Sequence, residues 1–212
     1  SPPPPGANGP DRLLSNVSIK LSADGFAILP VSQQAPLLPL SGNVSFVGLP
    51  LLADTFDGAT YYASARAVTG PSFLAPMSVV GSLQTNTTAF PVVVDGFVGL
   101  PTLDAPTLNA TWDGSHLETT FGPGAPPDLT VYDVSTSNGL MHWTVAVPGG
   151  SRAIQLPDLR QLADTGLPGG NIVVGVYGAR IDDFDYANLR YRHLRPFGMN
   201  AYSLDYVEAH LP

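Results

Sequence analysis

The sequence predicts an all-β protein, on three observations. Apolar and polar residues alternate over short runs, the period-two pattern of half-buried strands. Glycine and proline, 22 of each in 212 residues, punctuate those runs without a fixed repeat. They therefore supply turns, not a collagen-like or low-complexity array. Sustained helical periodicity is absent, and only residues 158–162 (DLRQL) fit one short helical turn.

Taken in order, residues 1–11 are a linker whose Pro2-Pro3-Pro4-Pro5 run favours a stiff polyproline spacer. Residues 17–29 (VSIKLSADGFAIL) read as a hairpin around an Ala-Asp-Gly turn. Pro36 and Pro39 confine residues 31–40 to an edge or a loop, because proline cannot donate to a ladder. Residues 43–49 form the next expected strand. Then comes the stretch that organises the first half, residues 57–76 (DGATYYASARAVTGPSFLAP). After a corner at Gly58, Tyr61, Ala63, Ala65 and Ala67 fall on one face of a strand, and Tyr62, Ser64, Arg66 and Val68 on the other. A tyrosine in this place has its hydroxyl free to bond back to the corner backbone. A run over 79–83 completes this half.

That stretch (Leu-Pro, a short gap, Gly-x-Thr-Tyr, alternation, Ala-Val, a Gly-Pro-Ser turn) resembles the F strand of fibronectin type III and related immunoglobulin-like modules. The resemblance covers about a quarter of one module and implies a β-sandwich with a tyrosine corner.

The second half begins with expected strands at 108–112 and 116–121, flanking an Asp113-Gly114 turn. Residues 129–134 and 140–147 form a second hairpin across Ser137-Asn138-Gly139. Met141, Trp143, Val145 and Val147 share one face of the latter strand, which makes Trp143 the expected aromatic of the core. A short strand at 153–156 precedes the run NIVVGVYGARI, where Ile172, Val174 and Val176 share a face. Residues 201–211 alternate and read as the closing strand. The segments FVGLPLLAD at 46–54 and FVGLPTLD at 97–104 echo each other about half a module apart, more a recurring strand-to-loop element than a true repeat. The chain loosens over 85–106. The expected architecture is two tandem immunoglobulin- or fibronectin type III-like β-sandwich domains, 12–104 and 105–212, the alternative being one larger sandwich.

Composition narrows the function. Hydrophobic residues make up 44% and charged residues 12% of the chain, so it carries enough apolar side chains for a sizeable core. The formal charge is −8 and Lys20 is the only lysine, so the cationic footprint of a nucleic-acid binder is missing. Without cysteine the chain forms no disulfide, thiolate metal site, covalent haem attachment or iron–sulfur ligation. No apolar run approaches the roughly 18 residues of a membrane span. The chain starts at Ser1 without Met, and its Pro-rich opening looks like the segment that follows a lipoprotein cleavage site; an interdomain linker reads equally well.

Two clusters carry candidate chemistry. Asp182, Asp183, Asp185 and Asn188 present hard oxygen ligands within seven residues, the donor type calcium takes, though without an EF-hand's central glycine and closing glutamate. The blander reading is a solvated loop with aspartate caps. Arg190, Arg192 and Arg195, with Tyr186 and Tyr191, form the only basic run and suit a carboxylate, an anionic glycan or an acidic partner. Internal charge balance against the nearby aspartates is the simpler role. Read as a strand, residues 190–194 place Arg190 and Arg192 on one face. The four histidines show no His-x-His or His-Glu-x-x-His spacing, and no Gly-x-Ser-x-Gly occurs. Glu118 and Glu208 are the only glutamates, which leaves no argued glycosidase pair.

The expectation is therefore a protein that is not an enzyme and needs no cofactor. It would be a structural or binding subunit of an exported, periplasmic or cell-surface assembly, lipid-anchored at its N-terminus, such as an extrinsic subunit of a membrane complex. The 182–195 segment is its expected partner surface. The alternative is a carbohydrate-binding or adhesion module using Trp112 and exposed tyrosines as a stacking platform.

Overall fold

A computed structural model describes residues 9–22, 25–29, 35–40, 44–52, 56–72, 74–84, 95–157, 167–194 and 199–212. They form eleven strands and no α-helix. The first half supplies β1 (Arg12–Lys20), β2 (Phe26–Ile28), β3 (Thr60–Thr69), β4 (Leu74–Gln84) and β5 (Pro101–Ala105). The second supplies β6 (His116–Phe121), β7 (Leu129–Thr136), β8 (His142–Pro148), β9 (Ala153–Gln155), β10 (Gly170–Arg180) and β11 (Ala201–Leu211). No helix among the described residues is long and apolar enough to cross a membrane.

An eight-stranded antiparallel sheet runs β2-β1-β3-β4-β11-β10-β7-β8, and a three-stranded sheet runs β5-β6-β9. β1 to β4 from the first half and β7, β8, β10 and β11 from the second are thus hydrogen-bonded into one sheet through β4 and β11. That junction is short. Residues 201–204 of β11 pair with 77–80 of β4, and the next position on β4 is Pro76, which has no N–H to offer. Ser78 and Ser203, opposite each other in the junction and fully buried, donate to consecutive carbonyls, Val98 at 2.8 Å and Gly99 at 2.7 Å. They hold the 97–99 chain over the inner side of the seam.

The main core lies between the two sheets. Tyr132 and Val134 of β7, Ile172, Val174 and Val176 of β10, and Ala209 and Leu211 of β11 meet Leu103 and Leu117 of the smaller sheet. This two-layer arrangement is compatible with a β-sandwich. The corner forms as expected. Gly58 adopts a left-handed φ of 78°, Tyr61 is buried, and its hydroxyl donates to the Pro50 carbonyl. Ala63, Ala65 and Ala67 share Tyr61's buried face.

Four expectations are corrected. Described residues 44–49 make no strand; Gly48 turns left-handed at φ 76°, and Leu49 instead packs with Leu52 beside Ile19 and Tyr61. The echo is not a recurring strand-to-loop element, since no strand forms over 44–52 and Val47 is 85% exposed whereas its counterpart Val98 is fully buried. Residues 108–112 are a turn around Asn109, with a single parallel bridge from Thr111 to His210. Trp112, not Trp143, is the buried tryptophan, and its indole N–H donates to the His116 carbonyl at 2.6 Å. Trp143 lies on the predicted face, but β8 ends the sheet and leaves it partly covered. Residues 158–162 lie outside the described residues.

Candidate functional site

The connection from β10 to β11 folds back over the outer face of the large sheet. Phe184, Leu189, Leu194 and Met199 pack with Tyr177 and Tyr202 over Leu129, Val131 and Ala179. Burial pushes the Tyr177 and Tyr202 phenols above their ordinary value, and for Tyr177 the Asp133 carboxylate adds to it. The connection is thus clamped by its own apolar residues rather than extended into solvent.

Its polar residues fix the backbone. Asp128 accepts from the Ile181 N–H at 3.1 Å. Asp182 and Asn200 are joined twice, through the Asp182 N–H to Asn200 Oδ1 at 2.8 Å and Asn200 Nδ2 to Asp182 Oδ2 at 2.7 Å. Asp183 takes a left-handed φ of 53°, which aspartate tolerates better than most residues. Asp185 caps the first of two short 3₁₀ turns, accepting from the Ala187 N–H at 3.0 Å and from Asn188 Nδ2 at 2.9 Å. Of the calcium candidates read from sequence, Asp182, Asp183, Asp185 and Asn188, the Asp182 and Asp185 carboxylates are thus engaged as brace and cap, and Asn188 contributes its amide N–H. Among the described residues no group of three His, Asp or Glu side chains is arranged to hold a metal ion.

The arginines depart from expectation. Residues 191–194 are the second 3₁₀ turn, not a strand, so the alternation that placed Arg190 and Arg192 on one face does not apply. The turn is stabilised locally: the Arg190 N–H donates to His193 Nδ1 at 3.1 Å, and His193 packs edge-on against Phe184. The Arg190 guanidinium donates to the Leu189 carbonyl at 3.0 Å rather than to an aspartate. Arg192 lies within this turn, and Arg195 lies outside the described residues. The loop exposes Tyr186 (38%), Arg190 and Tyr191 (76%) together with Asp182, Asp183, Asp185, Ala187 and Asn188.

Beside the loop a shallow cleft of about 180 Å³ opens where β4, β10 and β11 part. Asp95, Gly96, Arg180, Asp182 and Asn200 line it. Sequence reading missed it because its residues come from four separate segments. Trp112 is buried and offers no stacking surface. His142 Nε2 lies 3.3 Å from Asp133 Oδ1, and Thr144 Oγ1 donates to the same oxygen at 2.8 Å. That hydroxyl faces the acid and not the imidazole, so the trio does not have the geometry of an activated nucleophile.

No protein-family model, curated protein or solved structure matches this chain.

Proposed function

We propose that this chain is a non-enzymatic binding or structural subunit, built of immunoglobulin- or fibronectin type III-like sandwich elements, that docks onto a protein assembly through the 182–194 loop. The observation that carries this reading is the display of Tyr186, Arg190 and Tyr191 on a backbone pinned from beneath by Phe184, Leu189 and Leu194. Tyrosine and arginine are the residue types that dominate binding energy at protein interfaces, and a fixed loop loses little entropy on docking. The acidic body with one lysine, the proline-rich opening and the sandwich elements support a place outside the cytoplasm, in an exported or cell-envelope assembly, including the extrinsic side of a membrane complex.

Affinity purification from native membranes tests the reading. Recovery of a stable stoichiometric assembly supports it. Binding of the isolated protein on a glycan array, with no co-purifying protein, would replace it with a carbohydrate-binding role.

A further inference from the structure

The outer face of the large sheet carries a second polar cluster, where β3, β4 and β11 run side by side. Arg66 of β3 stands opposite Val79 of β4, and Val79 stands opposite Tyr202 of β11, so the three share one row and one face. Tyr62 lies on the same face of β3, an even number of residues from Arg66. Its ring leans across β4: a Cβ added at Gly81 would collide with the Tyr62 hydroxyl and ring, so glycine leaves the room it needs. Phe26 of β2 packs edge-on against that ring, with 5.5 Å between centroids. The Arg66 charge reaches both phenols, opposing the rise in pKa that burial gives them. The cluster offers donors only. Arg66 is exposed, and among the described residues no carboxylate pairs with it and no acceptor takes its N–H groups or the two phenol hydroxyls. Asp11, at the head of neighbouring β1, is engaged instead with Arg12 Nε at 4.0 Å and the Gly70 N–H at 2.9 Å.

We infer that Arg66, Tyr62 and Tyr202 form a binding site for a carboxylate presented by a protein partner. The inference rests on the binding reading above and adds a second contact on the same face of the sheet. The guanidinium supplies one positive charge and a planar fork of N–H donors, which matches a monoanionic carboxylate, and the two phenols add a donor each. A dianionic phosphate would leave one charge unbalanced beside a chain of formal charge −8. A second copy of the chain would bring the same −8 with it, which disfavours self-association as the source of the carboxylate. Continuity with the loop favours a protein over a sugar acid, because Tyr202 also packs with Phe184, Leu194 and Met199 beneath Tyr186 and Tyr191.

The test titrates the full chain with acetate, and separately with chloride and inorganic phosphate, at constant ionic strength, read by NMR. The Arg66 Nε–H and the Tyr62 and Tyr202 ring signals should move together and saturate with acetate but not with chloride. Arg66→Gln should abolish saturation. Tyr62→Phe and Tyr202→Phe, each removing one donor and no ring, should weaken acetate about fivefold. Should Arg66→Gln fail to fold, the Arg66 Nε–H of the unaltered protein decides. An equal response to chloride, tighter binding of phosphate, an unmoved Arg66 Nε–H, or unchanged acetate affinity in Arg66→Gln would overturn the inference. Arg66→Gln should also recover less partner from native membranes, the difference shrinking as salt is raised. Undiminished recovery would overturn the partner assignment. So would a glycan carrying uronic acid bound through Arg66 with no partner protein, or a concentration-dependent dimer abolished by Arg66→Gln. If acetate fails to saturate Arg66 while the Arg190→Ala, Tyr191→Ala variant loses the partner, the carboxylate inference alone fails and the loop reading stands.

Discussion

The Tyr186 hydroxyl donates to the Ala146 carbonyl at 2.7 Å, tying the β10–β11 connection to the outermost strand of the large sheet. One bond thereby fixes the exposed loop and covers part of a sheet edge. Tyr186→Phe should cost about 1 kcal/mol or less, because the freed carbonyl can be rehydrated. Urea unfolding measures that cost, and amide exchange should quicken at Ala187 and Asn188.

A second tyrosine hydroxyl is less replaceable. Tyr61 is buried, and its bond to the Pro50 carbonyl closes the corner before β3. Tyr61→Phe should lower stability by about 1–2 kcal/mol while leaving the 182–194 loop and its partner binding unchanged. A loss of binding equal to that of a loop variant would contradict this separation.

The alternation of residues 61–67 was legible because Tyr61, Ala63, Ala65 and Ala67 are all buried, although Ser64 and Val68 on the other face are buried as well; the place of each strand in the sheet was not legible. Trp143 sits on the apolar face that its spacing predicts, yet β8 is an edge strand and leaves it partly covered. Trp112 lies in a turn that carries no period, and long-range packing buries it. Trp112→Ala should therefore cost about 3–5 kcal/mol, and Trp143→Ala distinctly less, by the same denaturation measurement. The loop shows the same limit. Its composition singled out Asp182, Tyr186, Arg190 and Tyr191, but Phe184 and Leu194 fold it back onto Leu129 and Val131, contacts distant in sequence. That replaces the expected strand with 3₁₀ turns. Nothing local announces the β4–β11 seam either, beyond Pro76 marking where pairing stops.

Tight packing between the sheets gives a further prediction. Gly178 of β10 faces Phe121, whose ring would lie 2.4 Å from an added Cβ. Gly178→Ala should destabilise by about 1–3 kcal/mol through displacement of that ring. A Phe121→Leu change in the same chain should recover part of the loss.

Asp205 provides the pH dependence. It follows the last β4-paired residue of β11, it is partly buried, and its carboxylate accepts from the neighbouring Tyr206 N–H at 2.8 Å. Burial raises its pKa above the ordinary carboxylate value, and the Tyr206 bond only partly opposes this. A raised folded-state value means the fold binds this proton more tightly than the unfolded chain. Its stabilising contribution is full below the unfolded value and is lost as pH rises through the folded one. Asp205→Asn keeps the acceptor oxygen and should raise the unfolding midpoint at pH 7. The gain should vanish as the pH falls below the unfolded carboxylate value of about 3.9. An equal gain at every pH would show that burial of the charge is not its cause.

Docking through the 182–194 loop is tested by recovery of the native assembly with an Arg190→Ala, Tyr191→Ala double variant. Both side chains are exposed, and Phe184, Leu189 and Leu194 supply the loop's apolar packing, so the thermal midpoint should fall only slightly. This stable variant should no longer co-purify its partner from native membranes. Undiminished recovery at matched stability would contradict it and remove the 182–194 loop from the interface.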